Sequence, residues 1–162
     1  MNKLLIKEYR YPSDYSDLKL LIEGHQSFIR NLEPHIAVKL IHNFDLRKYL
    51  EHFFDNKFPK AIYMAYMNNE VAGYISIFVS LCTAISVYRE HRLANLNELF
   101  VVEKFRKMNI ATELIEKSKS WAKANSCEYI QVGYSVKNVD AEKLYNNRIG
   151  FSKTGQISIL KL

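Results

Sequence analysis

A short basic segment, Arg106–Ala111, combines residue types and spacing that could hold an anionic ligand. The apolar run Leu99–Val102 leads into it, and apolar residues at helical spacing follow it. Arg106 and Lys107 would stand at the start of that helix, where unpaired N–H groups and the helix dipole already concentrate positive charge. These like charges repel each other, and a phosphate bound there would neutralise them. The pattern predicts a phosphate-binding turn, and two surface cations in an ordinary loop are the alternative.

Glu98 is the carboxylate whose position most needs an explanation. It lies inside the apolar run Leu96–Phe100, where a charged side chain is expected to be paired or to have a function. Strand alternation predicts that Glu98 shares a face with Leu96 and Phe100. The residue is therefore a candidate general base, and a salt-bridged or edge-strand glutamate is an equal alternative.

The composition limits the ligands that such a turn could serve. Neither GxxxxGK[ST] nor GxGxxG occurs, which excludes a P-loop and a dinucleotide-binding turn. The net charge of +6 suits an anionic ligand, but the positive residues are scattered, which argues against a nucleic-acid-binding module. Cys82 and Cys127 have no CxxC partner, so we expect two buried free thiols, no disulfide and no metal site.

The hydrophobic segments predict a protein without membrane contact. The apolar core near the N-terminus is only three residues long, too short for a signal peptide. No stretch approaches the roughly 18 apolar residues of a transmembrane helix. The sequence thus predicts a cytoplasmic protein.

The elements that must position these residues form one predicted α/β domain over residues 1–162. The apolar pattern predicts the order β-α-α-β-β-β-α-β-α-β, without repeats or linkers. The predicted strands cover 3–8, 61–67, 70–80, 93–102, 128–134 and one or two stretches within 151–162. The predicted helices start near Leu18, Ile36 and Ile110, and a short one covers 140–148. The β-α-β unit around the long helix should be parallel and right-handed.

Two segments together resemble the motifs of the GNAT superfamily of acyl-CoA-dependent N-acyltransferases. The segment Arg106–Ala111 fills the positions of motif A, [R/Q]-x-x-G-x-[G/A], after a strand. The order of motif B is matched by Asn138, Ala141, Leu144, Tyr145, Gly150 and Phe151. Asn109 stands where the family usually has Gly. Because Asn tolerates positive φ and can bond to N–H groups at a helix start, we expect the turn to be kept.

The resemblance implies a fold and a cosubstrate. The fold would be GNAT-like α/β (α+β), with a mixed, mostly antiparallel sheet of six to seven strands flanked by about four helices. Acetyl-CoA would bind without a metal, its pantetheine arm lying where strands 93–102 and 128–134 splay apart. The implied cofactor contacts are Leu99, Phe100, Val101, Arg106, Lys107, Met108, Asn109, Ile110, Ala111, Thr112, Asn138 and Tyr145.

The implied reaction is transfer of the acetyl group to a primary amine by direct attack in a ternary complex. Tyr145 would be the general acid for the leaving thiolate, and a core aromatic is its alternative role. Glu98 is the best remaining base, because Gly133 occupies the position of a glutamate that some members carry. A chain of water molecules, His91 and Tyr134 are the other candidates for the base.

The acceptor would be a small-molecule or peptide amine bound between the N-terminal helices and the loop 86–92. Acidic residues there, such as Glu23, Glu33 and Glu51, could bind a cationic amine or form a solvated helix face. A homodimer is expected by analogy with the family. A non-catalytic acyl-CoA-binding or sensing domain of the same fold is the alternative function.

Overall fold

One five-stranded sheet organises the part of the chain that the computed structural model describes, residues 3–34, 44–55, 57–83 and 89–155. Its strands lie in the order β1-β2-β3-β4-β5. They are β1 (Leu4–Glu8), β2 (Lys60–Met67), β3 (Glu70–Cys82), β4 (His91–Val101) and β5 (Tyr129–Val132). Neighbouring strands from β1 to β4 are antiparallel, whereas β4 and β5 are parallel.

Four α-helices accompany the sheet within these described ranges. They are α1 (Tyr15–Leu32), α2 (Leu46–Phe54), α3 (Ile110–Ala124) and α4 (Val139–Glu142), and α4 continues as a π-helix over Lys143–Ile149. A 3₁₀ turn, Glu103–Phe105, precedes α3. None of the described helices is long and apolar enough to cross a bilayer. The mixed, mostly antiparallel α+β architecture with about four helices is confirmed.

The number of strands differs from the expected six to seven. Residues 151–155 are not a strand, and residues 156–162 lie outside the described part of the chain. Gly150, at φ 90°, ends the preceding helix in the left-handed conformation, which glycine adopts without strain. The N–H of Phe151 then bonds to the carbonyl of Tyr145, and its ring packs edge-on against Tyr145. The apolar pattern after residue 150 predicted a strand, but Phe151 instead caps the end of the preceding helix.

The helix predicted to start at Ile36 falls mainly on residues 35–43, outside the described residues. Its continuation after Asp45 is a separate helix, α2. The Asp45 side chain accepts hydrogen bonds from the N–H groups of Arg47 and Lys48, so it caps the start of α2.

Helices cover both faces of the sheet, so the described part of the chain has two hydrophobic cores, one on each face. Under α1 and α2 lie Leu18, Leu21, Ile22, Leu46, Phe53, Ile62, Met64, Tyr74 and Phe100. Under α3 lie Ala61, Tyr63, Ile75, Ile77, Leu96, Ile110, Leu114 and Ile115. Because β2 is buried on both faces, its sequence is a continuous apolar run rather than an alternation.

A bulge in β4 decides which way Glu98 points. Ser76 pairs with Glu98 and Ile77 pairs with Leu96, so Asn97 is the additional residue. An additional residue exchanges the faces of the side chains that follow it. Glu98 therefore shares a face with Phe100, as predicted, but not with Leu96, where the alternation rule was wrong.

Candidate active site

Strands β4 and β5 separate where the resemblance expects the pantetheine arm. β5 pairs with β4 only over Leu93–Leu96, opposite Tyr129–Val132. β4 itself continues to Val101 along β3. Within the described ranges, the other edge of β4 from Asn97 to Val101 therefore has no strand partner, and its backbone groups face the gap.

Two adjoining cavities, of about 450 and about 440 Å³, lie along this gap. The first is lined by α1, by β4 and by the segment that follows β5, and the second lies at the start of α3. The predicted site residues divide between the two cavities. The first is lined by Glu98, Leu99, Phe100, Asn138 and Tyr145, the second by Lys107, Asn109, Ile110 and Thr112, and both by Val101, Arg106 and Ala111. The Met108 side chain lines neither and is 44% exposed.

The second cavity lies beside a row of unpaired backbone donors. No hydrogen bond within the described residues uses the N–H groups from Lys107 to Thr112. The hydroxyl oxygen of Thr112 is buried and likewise has no partner there. Unpaired donors at a helix start suit an anion with several acceptor oxygens. The unpaired donors from Lys107 to Thr112 therefore fit the diphosphate of coenzyme A.

Asn109 adopts the left-handed conformation that the turn requires. Its φ is 67°, and Lys107 two residues earlier has φ 62°, so the positive φ expected for Asn109 is confirmed. The expectation that its side chain bonds to N–H groups of the helix start is wrong. Instead, Asn109 donates to Glu113 at 2.9 Å and accepts from Arg148, which leaves the backbone donors open.

Two basic residues of the second cavity, Lys143 and Arg148, were not singled out from the sequence. They are five residues apart, which in an α-helix would set them about 140° apart around the axis. The π-helix closes its hydrogen bonds from i to i+5, so residues five apart lie roughly one turn from each other and on a similar side of the helix. The widened turn thus brings both cations to the cavity that Lys107 also lines.

Arg106 connects the turn to α1. Its Nε donates to the carbonyl of Val101 at 3.2 Å, and its guanidinium carbon lies 5.1 Å from the centroid of the Phe28 ring. The side chain thus lies at the junction of the two cavities, where it is held by a hydrogen bond and a cation–π contact.

Tyr145 combines a core position with a place in the first cavity. Only 5% of the residue is exposed, and its ring stacks on Tyr134 with centroids 5.6 Å apart. Burial, with a smaller contribution from Tyr134, raises the pKa of Tyr145 well above its ordinary value. The side chain therefore stays a hydroxyl and a hydrogen-bond donor at any working pH.

Glu98 lies between the cavity and two hydroxyl groups. Its Oε2 accepts from the Tyr49 hydroxyl of α2 at 2.6 Å and from the Ser76 hydroxyl of β3 at 3.4 Å. Burial, together with Glu98, raises the pKa of Tyr49, so Tyr49 remains the donor. Glu98 lies in the stretch of β4 that β5 leaves unpaired, and within the described residues its carboxylate is held by hydroxyl groups rather than by a salt bridge.

His25 also lines the first cavity and was not among the bases predicted from the sequence. Its Nδ1 lies 2.9 Å from the Tyr74 hydroxyl, and its ring stacks on Phe100 with centroids 5.4 Å apart. Burial lowers the pKa of His25, and Glu98 partly opposes this effect. The only sequence signal was a histidine at an apolar position of the helical pattern of α1.

The other candidates for the base lie in different surroundings. His91 lines neither cavity; its Nδ1 contacts the carbonyl of Arg89, at the opposite end of β4. Tyr134 lines the first cavity, and its hydroxyl accepts from Asn146 at 2.7 Å. Gly133 also lines the cavity, and an added Cβ would meet no atom within 4 Å.

Most acidic residues of the expected acceptor region belong to solvated helix faces. Glu23 pairs with Lys19 and Glu51 with Arg47 along their own helices. Glu33 lines the first cavity, where its carboxylate pairs with Lys137 at 2.9 Å across the cleft. Residues 86–88 of the expected acceptor loop 86–92 lie outside the described residues.

Both cysteines are free thiols, and each is half-buried rather than fully buried. Nowhere in the described ranges do three or more His, Cys, Asp or Glu side chains converge as metal ligands would.

Residues 27–151 match the family model of the acetyltransferase (GNAT) family. This match covers most of the chain and both of the motifs above, so the chain belongs to the GNAT acetyltransferase family.

Solved structures share this fold at low sequence identity. A mutant of the BH1408 protein from Bacillus halodurans aligns with a TM-score of 0.83 and 16% identity over 98% of this chain and 99% of that chain. An aminoglycoside acetyltransferase from an uncultured soil metagenomic sample aligns with a TM-score of 0.71 and 17% identity over 99% of both chains. AAC(6')-Iy in complex with a CoA bisubstrate analog aligns with a TM-score of 0.66 and 15% identity over 99% of this chain and 98% of that chain. A search of curated proteins found no significant match.

Proposed function

We propose that this protein is an N-acetyltransferase that moves the acetyl group of acetyl-CoA to a primary amine by direct attack in a ternary complex. The observation that carries the proposal is the continuity of the gap between β4 and β5 with the unpaired N–H groups from Lys107 to Thr112. An elongated ligand with a polar arm and a diphosphate fits both parts at once.

The cosubstrate would be held mainly by backbone groups. The free edge of β4 at Leu99–Val101 would bind the pantetheine amides, and the turn from Lys107 to Thr112 would bind the diphosphate. Lys143 and Arg148 would supply positive charge for the remaining phosphate oxygens. Asn138 would contribute little through its side chain, because its Oδ1 already accepts from the N–H of Ala141.

The chemistry divides among three groups. Only a neutral amine can attack the thioester. A lysine-like amine has a pKa of about 10.4 in water and is protonated near neutral pH, so a base must remove its proton, and we expect this base on the Glu98 side of the cavity. A backbone N–H on the free edge of β4 would stabilise the oxyanion. The Tyr145 hydroxyl would donate a hydrogen bond to the leaving thiolate. Because its pKa is raised far above that of a thiol, Tyr145 would keep its proton and stabilise the sulfur as a donor.

The acceptor would be a small amine with an apolar body. The α1 wall of the first cavity contains the apolar side chains Phe28, Ile29 and Leu32 between His25 and the Glu33 carboxylate. The carboxylate is already neutralised by Lys137, which favours one positive charge on the acceptor over several. Aminoglycosides are named as substrates only for the structural neighbours, and we do not extend them to the present chain.

Thermal unfolding in the presence of acetyl-CoA tests the cofactor half of this proposal. A ligand at about 100 times its dissociation constant stabilises a protein by roughly 2.7 kcal/mol. Release of free thiol over a panel of primary amines then tests catalysis. A thermal shift without thiol release from any amine would favour the alternative, an acyl-CoA-binding or sensing domain. No thermal shift would contradict both.

A further inference from the structure

Three polar side chains from three elements are grouped along one wall of the first cavity. His25 comes from α1, Tyr74 from β3 and Glu98 from β4. The Tyr74 hydroxyl lies 2.9 Å from the His25 Nδ1, and the residue is completely buried. The Glu98 carboxylate lies close enough to Tyr74 to act on it electrostatically. His25 and Glu98 line the cavity, whereas Tyr74 lies behind them.

The charge of Glu98 favours hydrogen on one of the two nitrogens of His25. A carboxylate attracts the hydroxyl proton of Tyr74, which leaves the Tyr74 oxygen as an acceptor toward His25. Nδ1 is then the N–H nitrogen of the ring, and Nε2 carries the lone pair. Within the described residues Nε2 has no hydrogen-bond partner. Since Nδ1 is turned to the buried Tyr74, the opposite edge of the ring is available to the cavity.

The ring of His25 is also held in place and neutral. It stacks on Phe100 at an interplanar angle of 24°. Gly24 permits this approach, because a Cβ there would lie 3.2 Å from the Phe100 ring. Burial lowers the pKa of His25, so the imidazole can accept a proton near neutral pH.

Glu98 itself is less suited to touch the acceptor. Its Oε2 already receives the hydroxyl protons of Tyr49 and Ser76. The carboxylate is thus anchored to α2 and β3, and its charge acts on the cavity through Tyr74 and His25.

We propose that His25 is the catalytic base that takes the proton of the acceptor amine, with Tyr74 and Glu98 as its positioning residues. This inference rests on the proposed function. The ammonium form of the acceptor gives one proton to Nε2, and the neutral nitrogen forms a bond to the thioester carbon. As the carbon–sulfur bond breaks, its electron pair goes to sulfur. The second proton lost by nitrogen ends on the thiolate, and His25 returns its proton to water.

The pH dependence follows from the groups around the ring. The Tyr74 hydroxyl of β3 contacts the ring, and Glu98 of β4 accepts a hydrogen bond from Tyr49 of α2. The other titratable groups that line the same cavity are Glu33, Arg106, Tyr134, Asp140 and Tyr145. Of these, Glu98 is the group that raises the pKa of His25 against burial. The turnover number should therefore rise with pH through the pKa of His25, and removal of Glu98 should move that rise to lower pH.

The test is the pH profile of kcat for wild type, His25→Gln and Glu98→Gln, with His52→Gln as a matched control. His52 is exposed on α2 and lines neither cavity. We expect His25→Gln to lower kcat by roughly 10²–10⁴-fold and to remove the acidic limb. We expect Glu98→Gln to keep an acidic limb shifted to lower pH, and His52→Gln to match wild type. An acidic limb kept by His25→Gln but lost in Glu98→Gln would overturn the inference and make Glu98 the base.

Acetyl-CoA binding separates this inference from the proposed function. His25→Gln should show the thermal shift of wild type with acetyl-CoA, since His25 lies on the acceptor side. If wild type shows no shift, the proposed function fails. If wild type turns over and His25→Gln is equally active, only the inference fails.

A measurement on the folded wild type needs no acceptor. Imidazole nitrogen NMR of protein labelled at histidine, with His25 assigned by its loss in His25→Gln, reports the tautomer directly. We expect hydrogen on Nδ1 above the pKa, and in Tyr74→Phe a loss of this preference. Hydrogen on Nε2 in wild type would overturn the inference.

Discussion

Substitution of Tyr145 by Phe tests whether its hydroxyl serves the reaction or only the core. The ring packs between Tyr134 and Phe151, each with its centroid 5.6 Å away, and Phe preserves both contacts. Within the described residues the hydroxyl has no hydrogen-bond partner, so its removal breaks none. The free energy of unfolding should therefore stay within about 0.5 kcal/mol of wild type.

The expected loss of activity follows from the donor role. A hydrogen bond to a charged group contributes about 1.5–3 kcal/mol. At about 1.36 kcal/mol for each factor of ten, kcat should fall by roughly 10–150-fold. Full proton transfer by a general acid would contribute up to about 10⁴-fold, and the raised pKa of Tyr145 argues against that upper value.

The assay is thiol release at saturating acetyl-CoA, combined with a cofactor titration. Tyr145→Phe should lower kcat and leave the dissociation constant of acetyl-CoA nearly unchanged. Tyr129→Phe makes the same chemical change on an exposed side chain of β5, 58% exposed, and should behave as wild type. A kcat for Tyr145→Phe equal to that of Tyr129→Phe would refute the reasoning and leave Tyr145 a core aromatic.

Three further sets of substitutions test the turn, the basic cavity and the sheet. Asn109→Ala should be less stable than Asn109→Gly by about 1 kcal/mol in thermal unfolding, because φ at this position is 67° and both variants lose the same side-chain contacts. Replacing Lys143 and Arg148 by Ala should weaken coenzyme A binding and reduce its dependence on salt, which titrations at two ionic strengths would measure. Gly73→Ala should lower the free energy of unfolding by about 1–3 kcal/mol in chemical denaturation, since its Cβ would lie 2.6 Å from the carbonyl oxygen of Phe100.

The basic cavity and the sheet each have a control elsewhere on the chain, and the two Asn109 variants are compared with each other. Lys119 and Lys123 lie on α3 outside both cavities, and their double Ala variant should bind coenzyme A as wild type does. If that variant loses equal affinity, overall charge rather than the cavity binds the phosphates. Gly155→Ala meets no atom within 4 Å and should be neutral. Equal stabilities of the two Asn109 variants, or a neutral Gly73→Ala, would contradict the backbone arguments.

The sequence alone predicted the elements and the anion-binding turn because both depend on local properties. The helical and strand periods of the apolar residues predicted α1, α3 and the strands from β1 to β5 within a few residues. The positive φ of Asn109 was predictable because Asn adopts the left-handed conformation more readily than most residues. The resemblance to the GNAT family rested on the same local segments, and the family model confirmed it.

Three features could not be predicted from the apolar pattern, and two of them depended on contacts between residues far apart in sequence. The bulge at Asn97, which separates the faces of Leu96 and Glu98, is defined only by the pairing of β4 with β3. The π-helix that brings Arg148 to the second cavity breaks the regular helical period. His25, Tyr74 and Glu98 are far apart in sequence, and no local pattern predicts that α1, β3 and β4 place them together. Local residue preferences thus determined which elements form, whereas the pairing of strands and the packing of α1 decided which side chains share the cavity.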